Sequence, residues 1–514
     1  MFSPFSKGIQ IIDTAPQGLD SEKALVRIAN GSVLFFVGTF FGLGLNYLYS
    51  IVLARVLGPS QFGLYAIGLG AFNLLSAIAL GGLGSAVLRF VPASRAQSDR
   101  VRIGRILRAV LVLAASFSGF LGVAMFVWSD SFAKIFLHSA EASYVLRFFA
   151  LAIPLFVVST VTFAVFQAFQ DVRWRTFVKY VCEPVAKFVV TMGLLWAGFG
   201  LTSALIALPF ALLLSTVLTL FPLRDLLLVP GKSVSSQGVY GEVLRYSTPL
   251  LGGLVFSGIA TRSDVLLIGY WFSTEQVGIY SAAFQTASIM ALVLGTVDSI
   301  ATPFISESIN SKEQGRVQSF AGTVLRWTLI GSFPLFIVMA VFAKDIMALF
   351  GKDFESGWAV LIILAFGQFI NSVMGSSNSM LLWAGYSKLI LWNNIVTSIF
   401  QVGLYFVLIP QYGAIGAAIG TTAGLVLTVV MRIVQVKYFL KVFPYDLSIC
   451  KPFVSGLVAL LLALAMKSIF AIDHVALLIG LFVLSYAGCL FALGLHDSDK
   501  SMLLNIKQKF NPSS

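Results

Sequence analysis

Gln61-Phe62-Gly63-Leu64-Tyr65 returns as Gln276-Val277-Gly278-Ile279-Tyr280, 215 residues downstream, and each copy stands where one long apolar stretch ends and the next begins. The flanks repeat in the same order: Leu107-Arg108 returns as Leu325-Arg326, Ala168 as Ala384, and the glycine-led start Gly200 to Ala204 as Gly413 to Ala417. Several ordered matches at spacings near 215 indicate a duplicated bundle, and duplication in an apolar chain is the pattern of transporters. Hydrophobic residues make up 58% of the 514 positions and charged residues 11%, too little polar surface to cover a soluble globule.

A helix needs about 20 apolar residues to cross a bilayer core, and fourteen such stretches are read here. They run over 33–54, 62–88, 106–128, 144–168, 177–197, 201–223, 247–271, 278–305, 324–343, 357–382, 389–409, 412–431, 452–470 and 474–495. Period-2 alternation is missing, and lipid leaves no partner for an open sheet edge, so the expected fold is all-α, a polytopic membrane protein of about 14 helices. Six spans per repeat bring both halves in from the same side, related by a pseudo-two-fold axis along the membrane normal with a cavity between them. The expected organisation is a tail (1–32), a first lobe of helices 1–6 (33–223), a Gly/Ser/Pro linker (224–246), a second lobe of helices 7–12 (247–436), two extra C-terminal helices (437–495) and a second tail (496–514). The first thirty residues do not resemble a signal peptide, and no cleavage is expected.

Of the 34 Lys and Arg, 26 fall in the tails and in the loops and flanks after even-numbered spans, which puts both termini in the cytoplasm. The outer side keeps Arg55, Lys134, Arg147, Lys344, Lys352 and Lys467, leaving Lys187 and Arg262 for the membrane interior. The net charge of +12 is therefore topology, not a signature of nucleic-acid binding. Cys182, Cys450 and Cys489 have no metal-ligand spacing, and His138, His474 and His496 are scattered singles, so neither a metal site nor a disulfide frame is expected. No phosphate-binding loop and no ATPase-sized soluble domain is read, so no cofactor is expected, and a proton or sodium gradient or the membrane potential is the expected energy source.

The stretch Leu53-Ala54-Arg55-Val56-Leu57-Gly58-Pro59-Ser60-Gln61-Phe62-Gly63-Leu64-Tyr65, with Gly81-Gly82-Leu83-Gly84 and Arg89-Phe90-Val91-Pro92, resembles the opening of the polysaccharide transporters, the Wzx-type oligosaccharide flippases. Arg262-Ser263-Asp264-Val265-Leu266-Leu267-Ile268-Gly269-Tyr270 and Val277-Gly278-Ile279-Tyr280-Ser281-Ala282-Ala283 are similar to the same family's central motif. The resemblance extends over nearly the whole chain. It is shared with the superfamily of drug extruders and the lipid II flippase. It implies two six-helix lobes and alternating access; no enzymatic activity is expected, because every outer loop is short. The implied work is movement of an undecaprenyl-pyrophosphate-linked sugar repeat across a bacterial inner membrane, for O-antigen, capsule or exopolysaccharide, beside a polymerase and a chain-length regulator.

That cargo needs fixed cations for its diphosphate and amides, hydroxyls and aromatic faces for its sugars, because unsatisfied polar groups in hydrocarbon cost several kcal/mol each. Arg262 lies deep in the seventh span, where a central Arg costs about 2.5–3.5 kcal/mol on insertion scales, and it is read as a cavity cation or one half of a structural ion pair. Asp264, two residues on, points to another side of the helix, which leaves Asp298 or Glu183 freer to pair with it. Glu183-Pro184-Val185-Ala186-Lys187 puts acid and base on one helical face, read either as a self-neutralised pair or as a diphosphate cation beside a proton-coupling acid. Lys187 aligns near Gln401 in the repeat, so this cation belongs to one lobe only. Arg55 is a further headgroup candidate, being basic on the outer side. Asn46, Tyr47, Asn73, Gln285, Gln368, Asn371, Trp383 and Gln401 are candidates for the sugar path, with helix–helix hydrogen bonding as the equal alternative. Rival readings are an ion-coupled multidrug antiporter, which calls for an acidic chamber, a lipid II flippase, and a membrane glycosyl polymerase or ligase, which calls for a large outer loop.

Overall fold

The computed structural model describes residues 21–136, 140–228, 237–310, 314–373, 377–442, 450–470 and 474–493. His138, His496, the tail lysines Lys7, Lys500, Lys507 and Lys509, and the linker stretch from Pro230 to Ser236 lie outside them. Among the described residues all regular structure is helical. Among the described residues eight helical stretches have the length and hydropathy of membrane spans, and two of those, 62 and 54 residues long, are each broken at a glycine. Two shorter apolar helices follow near the C-terminus.

The chain divides into two compact units, residues 1–277 and 278–514. In the first, α1 (Ser21–Leu80) is broken into two helical arms at Gly58, whose φ of 73° and ψ of 172° suit glycine alone, between the spans read as 1 and 2. Helix is already present at Ser21, ahead of the apolar span read from Val33. Next come α2 (Leu83–Ala96), α3 (Arg100–Phe136) and α4 (Ala140–Ala168). A helical rod follows, made of α5 (Val172–Phe177), a π-turn (Val178–Cys182) and α6 (Glu183–Trp196). The unit is completed by α7 (Leu201–Leu220) and α8 (Gln237–Trp271).

The centre of the first unit is α4, which packs on α1, α3 and α7 through the buried stripe Val145, Phe149, Ile153, Val157, Val161 and Val165. These fall three or four apart, the spacing of one helical face. Phe149 meets Tyr65 at 5.6 Å and Phe72 at 5.8 Å between ring centroids, and Gly68 lets its ring press on the α1 backbone. On the other face of α3, Phe120, Val123 and Val127 are each more than 60% exposed, an apolar surface suited to acyl chains rather than water. The helix α8, read from sequence as the first of the second repeat, packs on α1, α2 and α3 within the first unit. The repeat boundary and the compact boundary thus differ by one helix.

The second unit holds α9 (Thr274–Ala287, whose first turn belongs to the first unit), α10 (Ile289–Asn310), α11 (Gln314–Val341), α12 (Trp358–Val373), α13 (Ser377–Trp383) and α14 (Ser387–Gln435). It ends with α15 (Cys450–Phe470) and α16 (Val475–Ala492), the pair outside the repeat. These two dock on α11: Ile337, Ala459, Ala463, Phe482 and Tyr486 form one buried cluster, and the Tyr486 hydroxyl donates to the Ile330 carbonyl at 3.1 Å.

The duplication is visible in backbone detail. Gly200 has φ 52° and ψ −132° before α7, and Gly413 has φ 56° and ψ −130° inside α14. After α4 the chain turns with Gln170 at φ 62°, and after α13 with Gly385 at φ 86°. Each turn closes with the same bonds, Asp171 N–H to Phe166 C=O and Tyr386 N–H to Leu381 C=O, both at 2.9 Å.

Candidate functional site

The rod from α5 to α6 carries a polar stripe at four-residue spacing: Lys179, Glu183, Lys187 and Thr191. The π-turn at Val178–Cys182 inserts one residue into the helical ladder at the start of this stripe, and Pro184, on the first turn of α6, is accommodated directly after it. The rod lies close to the first arm of α1. Gly38 leaves room for Thr176 and Gly42 for the carbonyl of Tyr180, and Asn46 and Ser50 continue that small-residue face at the same spacing.

Lys187, half-buried, donates from Nζ to Asn46 Oδ1. Its ammonium also lies 4.3 Å from the centroid of the Tyr49 ring, a cation–π contact. The acceptor is held in place from behind, because Asn46 Nδ2 donates to the Gly42 carbonyl at 2.8 Å. Tyr49, 2% exposed, accepts from Thr191 Oγ1 at 3.4 Å. Among the described residues no carboxylate oxygen comes within 4 Å of the Lys187 ammonium. The self-neutralised pair with Glu183, one of the two sequence readings, is therefore not formed: one turn of helix separates the two attachment points, and the long lysine side chain reaches α1 instead. Lys179, one turn before Glu183, lies 5.8 Å from the Phe163 ring centroid and 5.6 Å from that of Tyr180.

The repeat-related stripe in the second unit is Asn393, Thr397, Gln401 and Tyr405, and it is neutral and closed. Asn393 and Gln435 exchange amide hydrogen bonds at 2.8 and 2.7 Å. Thr397 meets Thr428 at 2.9 Å. Gln401 Nε2 donates to the Tyr405 hydroxyl at 2.6 Å, and Thr421 joins Tyr405 at 2.8 Å and Tyr280 at 3.1 Å. Both arms of α14 contribute, and Gly420 and Gly424 let Tyr405 and Gln401 approach. The sequence-read sugar-path residue Gln401 is thus a member of a helix–helix hydrogen-bond network, the alternative reading.

Asp298 on α10 accepts from Ser379 of α13 at 2.6 Å through Oδ2, and its Oδ1 is buried with no hydrogen-bond partner among the described residues. Asp264 is buried, and its Oδ1 accepts from the N–H of the following residue, Val265, at 2.7 Å. Arg262 is half-buried on α8 in the first unit. Arg55 is exposed, three residues before the break at Gly58. Tyr47 and Asn73 on α1, Gln285 on α9, and Gln368 and Asn371 on α12 are all half-buried. Trp383 departs from its expected buried depth: it ends α13 at 46% exposure, just before the Gly385 turn. Arg147, unexplained by topology, pairs with Asp130 at 2.5 Å and donates to Ser129 at 3.0 Å, fastening α4 to α3.

Tyr49, Thr191, Ser379, Asn393, Gln435, Tyr405 and Thr421 were absent from the sequence-read candidates. The four-residue spacing of the two stripes was the signal that singles out Thr191, Asn393 and Tyr405. Nothing in the sequence pairs Ser379 with Asp298, 81 residues apart.

A family model described as "Polysaccharide biosynthesis protein" matches residues 52–363. The chain is 25% identical over 461 residues to the succinoglycan biosynthesis transport protein of Rhizobium meliloti, which covers 88% of this chain and 87% of that protein. It is 24% identical over 431 residues to the probable low-salt glycan biosynthesis flippase of Haloferax volcanii, with 82% and 86% covered. Among solved structures the lipid II flippase MurJ, in an inward closed conformation, matches with a TM-score of 0.73 at 15% identity, over 89% of this chain and 98% of that one. That likeness is one of fold. With a multi-pass helical architecture, a duplicated bundle and a family match over more than half its length, the chain belongs to the polysaccharide biosynthesis protein family, among its Wzx-type polysaccharide transporters.

Proposed function

We propose that this protein moves undecaprenyl-pyrophosphate-linked oligosaccharide repeat units from the inner to the outer leaflet of a bacterial inner membrane, by alternating access. The observation that carries the proposal is the Lys187 cluster in a chain of this family. A cation at membrane depth, held by an amide and an aromatic face with no carboxylate within 4 Å, keeps its charge available to a diphosphate. Arg262 is the second cation assigned to the headgroup. An antiporter of cationic drugs would be served by the opposite sign of charge.

Both termini lie in the cytoplasm in this reading, as the distribution of Lys and Arg requires. An ion gradient or the membrane potential drives the cycle, with Asp298, Glu183 and Asp264 as the acids available for coupling. A polymerase and a chain-length regulator receive the product on the outer side.

The test is reconstitution of the purified full chain in vesicles that carry a fluorescent lipid-diphosphate oligosaccharide, with outer-leaflet quenching as the readout. Arg262→Ala should abolish transfer, and surface polysaccharide in cells, while the protein still accumulates in the membrane. Arg262→Lys should restore part of it. Wild-type transfer by Arg262→Ala would remove Arg262 from the mechanism, and no transfer by the wild-type chain with any lipid-diphosphate sugar would reject the function.

A further inference from the structure

The partners of Lys187 are an unusual choice for a cation in a bilayer. Elsewhere in the first unit Arg147 has Asp130 at 2.5 Å and Arg102 has Glu242 at 3.3 Å. Lys187, more deeply placed, is given a carboxamide oxygen and a ring face. Glu183 is one turn away from Lys187 and from Lys179, yet it makes no ion pair within 4 Å with either. An amide dipole satisfies an ammonium without cancelling its charge, whereas a carboxylate would do both.

The Asn46 amide is oriented for this purpose. Its Nδ2 is committed to the Gly42 carbonyl, so Oδ1 faces Lys187, and the small-residue face of α1 holds that register against the rod. Tyr49 supplies the second wall, itself anchored through its hydroxyl by Thr191 from the same helix as Lys187. The ring therefore faces the ammonium while the oxygen is engaged elsewhere.

We propose that Asn46 and Tyr49 are positioning residues that form a neutral cradle for Lys187. They hold the ammonium when no cargo is bound and surrender one of its hydrogen bonds to a diphosphate oxygen when cargo arrives. The exchange moves a single N–H donor from Asn46 Oδ1 to the phosphate, and Asn46 keeps its bond to Gly42 throughout. The neutrality of the cradle sets the affinity: a charged partner in place of Asn46 would have to be displaced by each incoming anion. This rests on the reading of Lys187 as a headgroup cation, and the experiment separates the two.

The full chain in nanodiscs is titrated with farnesyl diphosphate, and with inorganic pyrophosphate to separate a lipid headgroup from free diphosphate. Lys187→Gln should weaken binding about tenfold or more. Unchanged binding in that variant rejects Lys187 as a headgroup cation, and the cradle with it. Asn46→Asp, nearly isosteric, should weaken binding about tenfold by pairing with Lys187. Asn46→Ala should tighten binding, because the empty site loses a partner that the occupied site does not use. The pattern seen with both probes, or with the lipid probe alone, supports the cradle. Asn46→Ala and Asn46→Asp weakening binding alike, with Lys187→Gln also weak, would overturn it and make Asn46 a packing residue. Should Asn46→Ala not accumulate, Asn46→Ser against Asn46→Asp poses the same opposition.

Discussion

Two helices related by the repeat carry the same four-residue spacing and put it to different uses. In the first unit Lys179, Glu183, Lys187 and Thr191 form a charged stripe from which Lys187 and Thr191 reach α1. In the second, Asn393, Thr397, Gln401 and Tyr405 form a neutral stripe closed by Gln435, Thr428 and Thr421 on the next helical arm. A network of amides and hydroxyls that satisfies itself fastens helices together. A cation satisfied only by neutral partners keeps a charge for something else. Duplication supplied one framework twice, and divergence at a few side chains made one copy a brace and the other a candidate receptor.

The comparison breaks most sharply at Lys187. Lys187→Gln gives the first stripe the chemistry of the second at this position, and it should lower vesicle transfer about 10- to 100-fold, the worth of a charge-assisted hydrogen bond. The reverse change, Gln401→Lys, places a cation in a closed network and should disturb stability without adding transport. Normal transfer by Lys187→Gln would mean that both stripes are braces.

What the halves share is tested by matched glycines. Gly200 and Gly413, with φ of 52° and 56° and ψ near −130°, occupy a region that a Cβ disfavours. Alanine at either should destabilise by roughly 1–3 kcal/mol, read as a fall in the midpoint of thermal unfolding in detergent. Gly416 is different in kind, since a Cβ there would strike the Leu408 carbonyl. If Gly200→Ala were neutral while Gly413→Ala was not, the repeat would be one of sequence without equal mechanical weight.

Much of this frame was legible in the sequence, for physical reasons that attach to particular residues. The matched glycines Gly200 and Gly413 were readable as the start of one repeated stretch, 213 residues apart, and the structure gives both a positive φ. The spans were readable because lipid forces backbone groups to pair within a helix. Partner choice was not readable. Lys187 and Glu183 share a helical face, yet the rotation of that face toward α1 gives Lys187 to Asn46, 141 residues away. The grouping of α8 with the first unit was hidden as well, since the sequence repeat assigns it to the second half. The π-turn at Val178–Cys182 leaves no compositional mark, because its residues are ordinary helix formers.

The brace in the second unit gives the next effect in size. Thr421→Val removes the hydroxyl that joins Tyr280 to Tyr405. Two buried phenols then lose a partner, although Gln401 still reaches Tyr405. The expected destabilisation is about 1–3 kcal/mol with transport kept in proportion to the folded protein. A transport loss well beyond the loss of folded protein would give this network a part in the cycle.

The smallest effect is the most discriminating about what a brace is. Asn393→Leu leaves the Gln435 amide without its reciprocal partner, and Gln435→Leu does the same to Asn393. Interhelical hydrogen bonds in membranes are worth about 0.6 kcal/mol on average, because an unfolded segment in lipid finds partners of its own. Each single variant should therefore lower stability by somewhat more than that amount, since an amide is left buried and unpaired. The double variant Asn393→Leu with Gln435→Leu removes both polar groups and should recover most of the loss. A double-mutant cycle in unfolding free energy measures the difference directly. Coupling near zero would mean that Asn393 and Gln435 find other partners. The neutral stripe would then be as open as the charged one, and the contrast between the two units would rest on Lys187 alone.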